Sequence, residues 1–393
     1  MTLLRLQALI ILSLLVSLPL PAGSSVAQEV PELQITSSHY ILLDAETGEV
    51  YAQRNADKEV AIASLTKVFT AVQALNMAPL DTPITTKSSD LQSAEATTMG
   101  FGPGETYTLE DLIYGMLLPS GNDAAYAIAR SLGYQKGDTD KQAVDRFMAL
   151  VNQRVENMGL KHTHLLNPDG WGVPGHYSSA SDVAAFMRYA IEYPFLVDVM
   201  GTRSYTTSNG LLTVTNSNKL LNSYGALVAG KTGYDDDAGW CLVTLAESRN
   251  TRMVAVTLDG VAPDDWYDDN RVLLDYGFRR KPEIAASGDR FNGDIVGFVD
   301  PDLAQLAKSG KPEAAISGSA AVTAQFDPPR PSGNILPANG RSTDMNPTRA
   351  TTWLAFIAAF ALVGASGALH WRGSGDPISR TERARVDFRR SRS

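Results

Sequence analysis

The spacing of apolar residues changes twice along this chain, from strand-like to helix-like and back again, and that order limits the possible folds. Two short apolar runs, 40–43 and 50–52, flank the turn-forming sequence 46–49 and predict a hairpin. Helical spacing of apolar residues follows at 65–75, 112–117, 123–132, 143–158 and 181–193. Strand-like runs return at 227–229, 240–246 and 253–258, and a last helix is predicted at about 269–276. The sequence therefore predicts an α+β fold in which the first and last strands share an antiparallel sheet.

An apolar segment near the start of the chain has the features of a secretory signal. Arg5 precedes an apolar run at 6–18, and residues 25–27 give the small-x-small pattern of a cleavage site. We therefore expect residues 1–27 to be a signal peptide, with an uncleaved anchor helix as the alternative. In both cases the bulk of the chain is expected outside the cytoplasm.

A second apolar segment, 351–371, has the length of a transmembrane helix. It contains no Asp, Glu, Lys or Arg, and Trp353 and Trp371 stand near its ends, where interfacial aromatic residues are expected. The tail 372–393 is rich in arginine, which marks the cytoplasmic side of a membrane. The sequence thus predicts a single-pass protein of the cell membrane with an extracytoplasmic main part.

Composition separates the region between these segments into two parts. We expect one folded domain over 32–280, followed by a spacer over 281–348 that is rich in Pro, Gly and Ala. The net charge of −9 argues against a nucleic-acid partner, because phosphate binding requires clustered Lys and Arg. Cys241 is the only cysteine, so the domain has no internal disulfide, and its apolar neighbours indicate a core residue.

Three short motifs carry reactive side chains. Ser64 and Lys67 are three residues apart at the start of a predicted helix, a spacing that brings a hydroxyl and an amine together on one helix face. A serine hydroxyl becomes a nucleophile when a neighbouring base takes its proton. Ser120 and Asn122 lie in a break between two helices, and the motif 231–233 (Lys-Thr-Gly) follows a strand-like run. This order of motifs resembles the S-x-x-K, S-x-N and K-T-G set of β-lactamases and penicillin-binding proteins.

The resemblance extends beyond the motifs. Segments similar to the low-molecular-mass D-Ala-D-Ala carboxypeptidases occur at 40–67, 117–125, 167–170, 175–180 and 273–278. Over about 35–278 the chain is identified as a member of this family of penicillin-binding serine peptidases, family S11. The resemblance implies a β-lactamase/transpeptidase-like fold, in which helices flank an antiparallel sheet and some of them form a helical subdomain.

The resemblance also implies a catalytic mechanism. Ser64 would attack the carbonyl between the last two D-alanines of a peptidoglycan stem peptide and form an acyl-enzyme. Lys67 would act as the base, with its pKa lowered by the charge of Lys231. Ser120 would relay a proton to the leaving nitrogen. Water would then release the product, and the reaction would need no metal or cofactor.

The same resemblance assigns substrate-binding roles. Asn122 would hydrogen-bond the substrate backbone, while Lys231 and Thr232 would hold the terminal carboxylate. Gly233 would leave room for a substrate lying along the strand edge, and the backbone N–H of Tyr234 would help to bind the oxyanion. The expected partners are stem peptides ending in D-Ala-D-Ala and β-lactam antibiotics, which would act as covalent inhibitors.

One departure and two further alternatives remain open. Many relatives have an arginine before an aromatic residue near the last helix, where this chain has Trp266 and Tyr267, and this leaves D,D-endopeptidase action open. A class A β-lactamase would have S-D-N in the second motif and a deacylating Glu. A non-catalytic wall-binding protein is a third reading, which the intact motifs oppose.

Two other clusters suggest weaker hypotheses. His162 and His164 lack a clear third ligand, so we expect them to make loop hydrogen bonds rather than to bind zinc. The acidic run 235–237 is expected to be a solvated turn beside the site, and attraction of an amino group of the stem peptide is the alternative.

Overall fold

Five antiparallel strands form one sheet that joins the beginning of the domain to its end. The computed structural model describes residues 33–262, 265–288 and 291–308. The strands of this sheet are β1 (His39–Asp44), β2 (Val50–Arg54), β7 (Leu227–Asp235), β8 (Gly239–Ser248) and β9 (Thr251–Gly260). Their order is β2-β1-β9-β8-β7, so the hairpin β1–β2 pairs through β1 with β9. The predicted α+β layout with a shared antiparallel sheet is confirmed.

Two short ribbons, nine α-helices and two 3-10 turns make up the rest of the regular structure in the residues described. The ribbons pair β3 (Pro83–Thr85) with β4 (Thr106–Thr108) and β5 (Ser204–Thr206) with β6 (Thr213–Thr215). The helices are α1 (Thr66–Met77), α2 (Leu109–Leu117), α3 (Asn122–Gly133), α4 (Asp140–Met158), α5 (Ala180–Ala190), α6 (Pro194–Gly201), α7 (Leu220–Ser223), α8 (Asp265–Ser287) and α9 (Pro301–Lys308).

The two faces of the sheet pack against different helices. Successive side chains of a strand point to opposite faces, so β1 contributes to two cores. Ile41 and Leu43 belong to the larger core, which also contains residues of helices α1 to α6. Leu42 belongs to the second core with Leu273 and Leu274 of α8. The sheet is therefore covered by helices on both faces.

Side-chain caps fix where several helices begin. The Thr108 side chain accepts a hydrogen bond from Asp111 N at 3.1 Å, and the Asp111 side chain accepts one from Thr108 N at 3.2 Å. This reciprocal pair satisfies amides that lack a partner within the helix. Helix α2 ends at Leu117, two residues before Pro119, which cannot continue it.

Cys241 lies fully buried in β8, as predicted for a core residue. Burial raises the pKa of its thiol to about 12, so the reactive thiolate is disfavoured.

The C-terminal boundary of the domain differs from the predicted one. Helix α8 continues past residue 280 to Ser287, and residues 291–308 pack onto the domain instead of forming an open spacer from residue 281. Val50 N donates to the carbonyl of Asp294 at 2.9 Å, and Val299 N donates to that of Met158 at 3.0 Å. The composition of this segment did not predict these backbone hydrogen bonds to the domain.

Within the ranges described, no helix is long and apolar enough to cross a membrane. The predicted signal peptide 1–27, the predicted transmembrane helix 351–371 and the basic tail 372–393 all lie outside the described residues.

Candidate active site

The nucleophile candidate lies at a tight turn that leads directly into α1. Ser64 is in the 3-10 turn Ala63–Leu65, and Ala63 has a φ of 45°, a conformation that residues with a side chain rarely adopt. Helix α1 then places Lys67 one turn further on, with its Nζ 2.7 Å from Ser64 Oγ. The predicted contact between hydroxyl and amine is present.

Three oxygen atoms surround the amine of Lys67. Besides Ser64 Oγ, its Nζ donates to Asn122 Oδ1 and to the backbone carbonyl of Asp169, each at 2.8 Å. The side chain is fully buried. Burial lowers the pKa of Lys67 to about 8, and the nearby carboxylates of Asp169 and Asp123 only partly oppose this effect.

The identity of these partners determines where a lone pair on Lys67 points. Asn122 Oδ1 and the Asp169 carbonyl can only accept hydrogen bonds, whereas the hydroxyl of Ser64 can also donate one. When the amine is neutral, its two protons satisfy the two acceptors, and its lone pair is left toward Ser64 Oγ. The arrangement therefore suits a base that takes the proton of Ser64.

The second motif projects into the same pocket from the break between α2 and α3. Ser120 has a φ of 67°, and Asn122 begins α3. A Cβ on Gly121 would lie 2.7 Å from both the Gly115 carbonyl and Met99 N, so a residue with a side chain does not fit at position 121, between Ser120 and Asn122.

The third motif reaches the pocket from the edge strand β7. Lys231 is almost fully buried, and its Nζ donates to Ser120 Oγ at 2.9 Å and to the Thr232 carbonyl at 2.7 Å. Burial, with a contribution from the charge of Lys67, holds the pKa of Lys231 well below its usual value. The lowered pKa that the resemblance implies for Lys67 is present, and burial is its largest cause.

Gly233 has a different neighbour from the one expected. A Cβ on this residue would lie 3.0 Å from Ser64 N and 3.2 Å from the Ile62 carbonyl. The space that Gly233 leaves is thus taken by the chain's own nucleophile turn. This close approach brings the backbone of β7, including the next residue Tyr234, beside the amide of Ser64.

Two residues that the motifs did not indicate also line this site. Ser217 Oγ lies 3.0 Å from Thr232 Oγ1, so a second hydroxyl stands beside the Lys-Thr-Gly motif. Asp169 contacts Lys67 through its carbonyl. Position 169 falls in a segment that supports the family resemblance, but a buried acid cannot be distinguished by sequence from an ordinary turn residue. For Ser217 the sequence offers no signal.

The aromatic residues that replace the expected arginine are stacked and buried. Trp266 lies between Trp240 and Tyr267, with ring centroids 5.0 Å and 3.7 Å away. The Tyr267 hydroxyl accepts a hydrogen bond from Lys219 N at 3.2 Å. The exposed ring of Tyr234 extends this row from Trp240, at 4.3 Å, toward the mouth of the site.

The two remaining clusters make local contacts. His162 Nδ1 lies 3.3 Å from a carboxylate oxygen of Glu59, and His164 Nδ1 lies 2.9 Å from the Gly175 carbonyl. Among the residues described, no group of three or more His, Cys, Asp or Glu side chains is arranged to hold a metal ion. Asp235 accepts hydrogen bonds from the amides of Asp237 and Ala238, as in a turn.

Comparison with known proteins identifies the family. The model of the D-alanyl-D-alanine carboxypeptidase family, peptidase family S11, matches residues 24–262. The chain belongs to this family of serine peptidases. The resemblance inferred from the three motifs is thereby confirmed.

Individual members of the family show how far the similarity reaches. D-alanyl-D-alanine carboxypeptidase DacF of Bacillus subtilis is 30% identical over 63% of this chain, which spans 63% of that relative. DacA of Escherichia coli is 32% identical over 70% of this chain and 69% of its own length. The crystal structure of the Streptomyces K15 DD-transpeptidase superposes with a TM-score of 0.60 at 28% identity, covering 64% of this chain and all of that one. The penicillin-binding, transpeptidase-like fold is thus shared.

The packing of the nucleophile turn predicts a strong effect of Gly170→Ala. Gly170 has a φ of 87°, and a Cβ would overlap the carbonyl oxygen of Ala63. Gly104 has the same φ with no atom within 4 Å of its Cβ position. We expect Gly104→Ala to cost about 1–2 kcal/mol for the left-handed backbone, and Gly170→Ala to cost about 1–3 kcal/mol more for the overlap. Chemical denaturation measures both, and equal losses would contradict this account.

Proposed function

We propose that this protein is a serine D-Ala-D-Ala carboxypeptidase that removes the terminal D-Ala of peptidoglycan pentapeptides through an acyl-enzyme on Ser64. The observation that carries the proposal is the 2.7 Å contact between Ser64 Oγ and the fully buried amine of Lys67. A buried lysine with a lowered pKa supplies the base that a serine nucleophile requires.

In the proposed acylation, Ser64 Oγ attacks the carbonyl carbon of the last peptide bond while its proton passes to Lys67 Nζ. The backbone N–H groups of Ser64 and Tyr234 stabilise the oxyanion, which is supported by the close approach of Gly233 to Ser64 N. Ser120 donates its hydroxyl proton to the leaving nitrogen and is reprotonated with the proton that Lys67 took up, so the C–N bond breaks, D-Ala departs and Lys67 is neutral again. Water then hydrolyses the ester to regenerate Ser64.

Substrate binding is proposed along the edge strand β7. In the described sheet this strand pairs only with β8, so an extended peptide can add to its other side. The ammonium of Lys231 and the hydroxyl of Thr232 would hold the terminal carboxylate, and the amide of Asn122 would bind the substrate backbone. The proposed reaction uses only these groups and water, with no metal or cofactor.

The carboxylate end of this site favours a second candidate activity, D,D-endopeptidase action on cross-links. The buried Trp266–Tyr267 stack occupies the place where many relatives carry an arginine. A site with fewer cations tolerates a substrate that lacks a free carboxylate at this position. We place this activity second because Lys231 and Thr232 are both retained.

The other two readings have less support. The two glutamates between Asn122 and Lys231 are Glu156 and Glu192, and both are exposed, whereas a deacylating Glu of a class A β-lactamase has to reach the acyl-enzyme. A non-catalytic wall-binding protein would not require the buried Lys67 to contact Ser64.

We further propose that the catalytic domain is extracytoplasmic and is attached to the cell membrane by residues 351–371. The support is the charge-free apolar stretch and the arginine-rich tail behind it. Residues 1–27 would direct export.

Labelled penicillin tests the nucleophile. We expect the full chain to be acylated at Ser64 and to release D-Ala from a pentapeptide ending in D-Ala-D-Ala, because β-lactams mimic that peptide end. Ser64→Ala should abolish both reactions, while Ser38→Ala is a control outside the pocket. Labelling that persists in Ser64→Ala would place the nucleophile elsewhere. Rapid hydrolysis of penicillin without D-Ala release would favour a β-lactamase, and cleavage of cross-linked dimers alone would favour the endopeptidase.

The pKa of Lys67 predicts the pH dependence of acylation. The neutral amine is the reactive form, so the acylation rate should rise with pH and level off above about pH 8. An unperturbed lysine would extend the rise to about pH 10.4. Stopped-flow measurement of penicillin acylation between pH 6 and 10 provides the test. A rise that continues to pH 10 would contradict the assignment of Lys67 as the base.

Fractionation of cells tests the membrane attachment. The full chain should remain in the membrane pellet after a carbonate wash, and a chain ending at residue 348 should move to the soluble extracytoplasmic fraction. A chain that lacks only 373–393 is the matched control and should stay in the pellet. Retention of the shorter chain would indicate that residues 1–27 act as an uncleaved anchor.

A further inference from the structure

The carboxyl group of Asp169 is a buried titratable group that the mechanism proposed above does not use. Asp169 is only 2% exposed. Its backbone carbonyl accepts the hydrogen bond from Lys67 Nζ at 2.8 Å, so the carboxyl group belongs to a residue already in contact with the base. Burial raises the pKa of Asp169, and the charge of Lys67 opposes that rise, so the two groups interact inside the pocket.

The turn that carries Asp169 is rigidly held. Asn167 Oδ1 accepts from Gly170 N at 2.8 Å, and Asn167 Nδ2 donates to the Trp171 carbonyl at 2.7 Å. Thr70 of α1 donates to the Pro168 carbonyl at 2.6 Å. Since Thr70 and Lys67 are on the same helix, the turn cannot shift without disturbing the position of the base.

A second buried acid near Lys67 is bound differently. Asp123 accepts hydrogen bonds from the amides of Met99, Gly100 and Ala124, at 2.7, 2.9 and 2.8 Å. These bonds tie it to the chain that surrounds the second motif, which gives it a structural role. The hydrogen bond to the carboxylate of Asp169 comes from Trp171 N, at the longer distance of 3.2 Å. Asp169 is thus the acid whose charge is more available to Lys67.

The remaining titratable groups around the pocket do not take over this role. Lys231 of β7 is a second buried amine, and burial with the charge of Lys67 holds its pKa well below the usual value. His176 Nδ1 accepts a hydrogen bond from Leu166 N, and burial lowers the pKa of His176 to about 4, so its ring is neutral. Burial, with a smaller contribution from the charge of Asp169, raises the pKa of the Tyr126 hydroxyl, so it is also neutral.

We propose that Asp169 is a positioning residue for the base: its carbonyl fixes the amine of Lys67 on Ser64, and its carboxylate balances the charge that this amine gains during acylation. This inference rests on the proposed function. As the proton moves from Ser64 Oγ to Lys67 Nζ, positive charge develops at Lys67 in a pocket that also holds the buried amine of Lys231. The carboxylate of Asp169 offsets the added charge until Ser120 delivers a proton to the leaving nitrogen.

The pH profile of penicillin acylation tests this role in the full chain. Asp169→Asn keeps the size and the backbone carbonyl but removes the charge, so Lys67 should lose its proton more easily. The rising limb should move to lower pH by at least about half a unit, since a close opposite charge shifts a pKa by about one unit or more. Asp169→Glu retains the charge and should keep the limb within about 0.2 units of the wild type.

The matched control is Asp237→Asn, which makes the same change of net charge at an exposed position near the mouth of the site. Its profile should equal that of the wild type. An unchanged limb in Asp169→Asn would overturn the inference, as would loss of acylation at every pH in a variant whose unfolding temperature is unchanged. If Asp169→Asn does not fold, Asp169→Glu still provides a test. A rising limb of its acylation profile that is displaced to lower pH would overturn the inference. Absence of labelling in the wild type would instead refute the proposed function.

Discussion

The burial of the Lys67 amine among three oxygen atoms is the constraint on which the rest of the site depends. An ammonium group in a dry pocket is unfavourable unless hydrogen bonds and opposite charges compensate. Here Ser64, Asn122 and the Asp169 carbonyl surround it, and they come from three different parts of the chain. The same lack of solvent that makes the charged form costly lowers the pKa to about 8 and makes the amine useful as a base.

The absence of side chains at three glycines lets these parts approach one another. Gly233 lets the nucleophile turn pack against β7, and Gly170 lets the turn 167–171 pack against Ala63. Gly121, which stands between Ser120 and Asn122 in the chain, packs against the backbone of Gly115 and Met99. In each case a Cβ would meet backbone atoms, which cannot rotate away as the end of a long side chain can. The pocket is thus shaped by contacts between backbones, and the reactive side chains are held by a framework with little freedom to adjust.

Much of the fold and of the catalytic set could be predicted from local patterns. Two short apolar runs around a turn indicated β1 and β2, and helical spacing of apolar residues at 112–117 indicated α2. The order of the three motifs indicated the family. Ser217 and the carboxylate of Asp169 could not be predicted, because their roles come from neighbours that are distant in sequence. The packing of residues 291–308 onto the domain was also not predicted, since Phe291 and Phe298 contact Tyr51 and Tyr189, which are distant in sequence.

The sequence by itself determined which reactive groups exist and how Ser64 and Lys67 meet, because a spacing of three residues on a helix fixes that contact locally. It also determined the apolar runs that form strands buried on both faces of the sheet. Only the tertiary structure decided that Lys231, more than 160 residues away, shares their pocket through Ser120. It also decided that burial lowers the pKa of Lys67, because exclusion of water is a property of the whole assembled pocket.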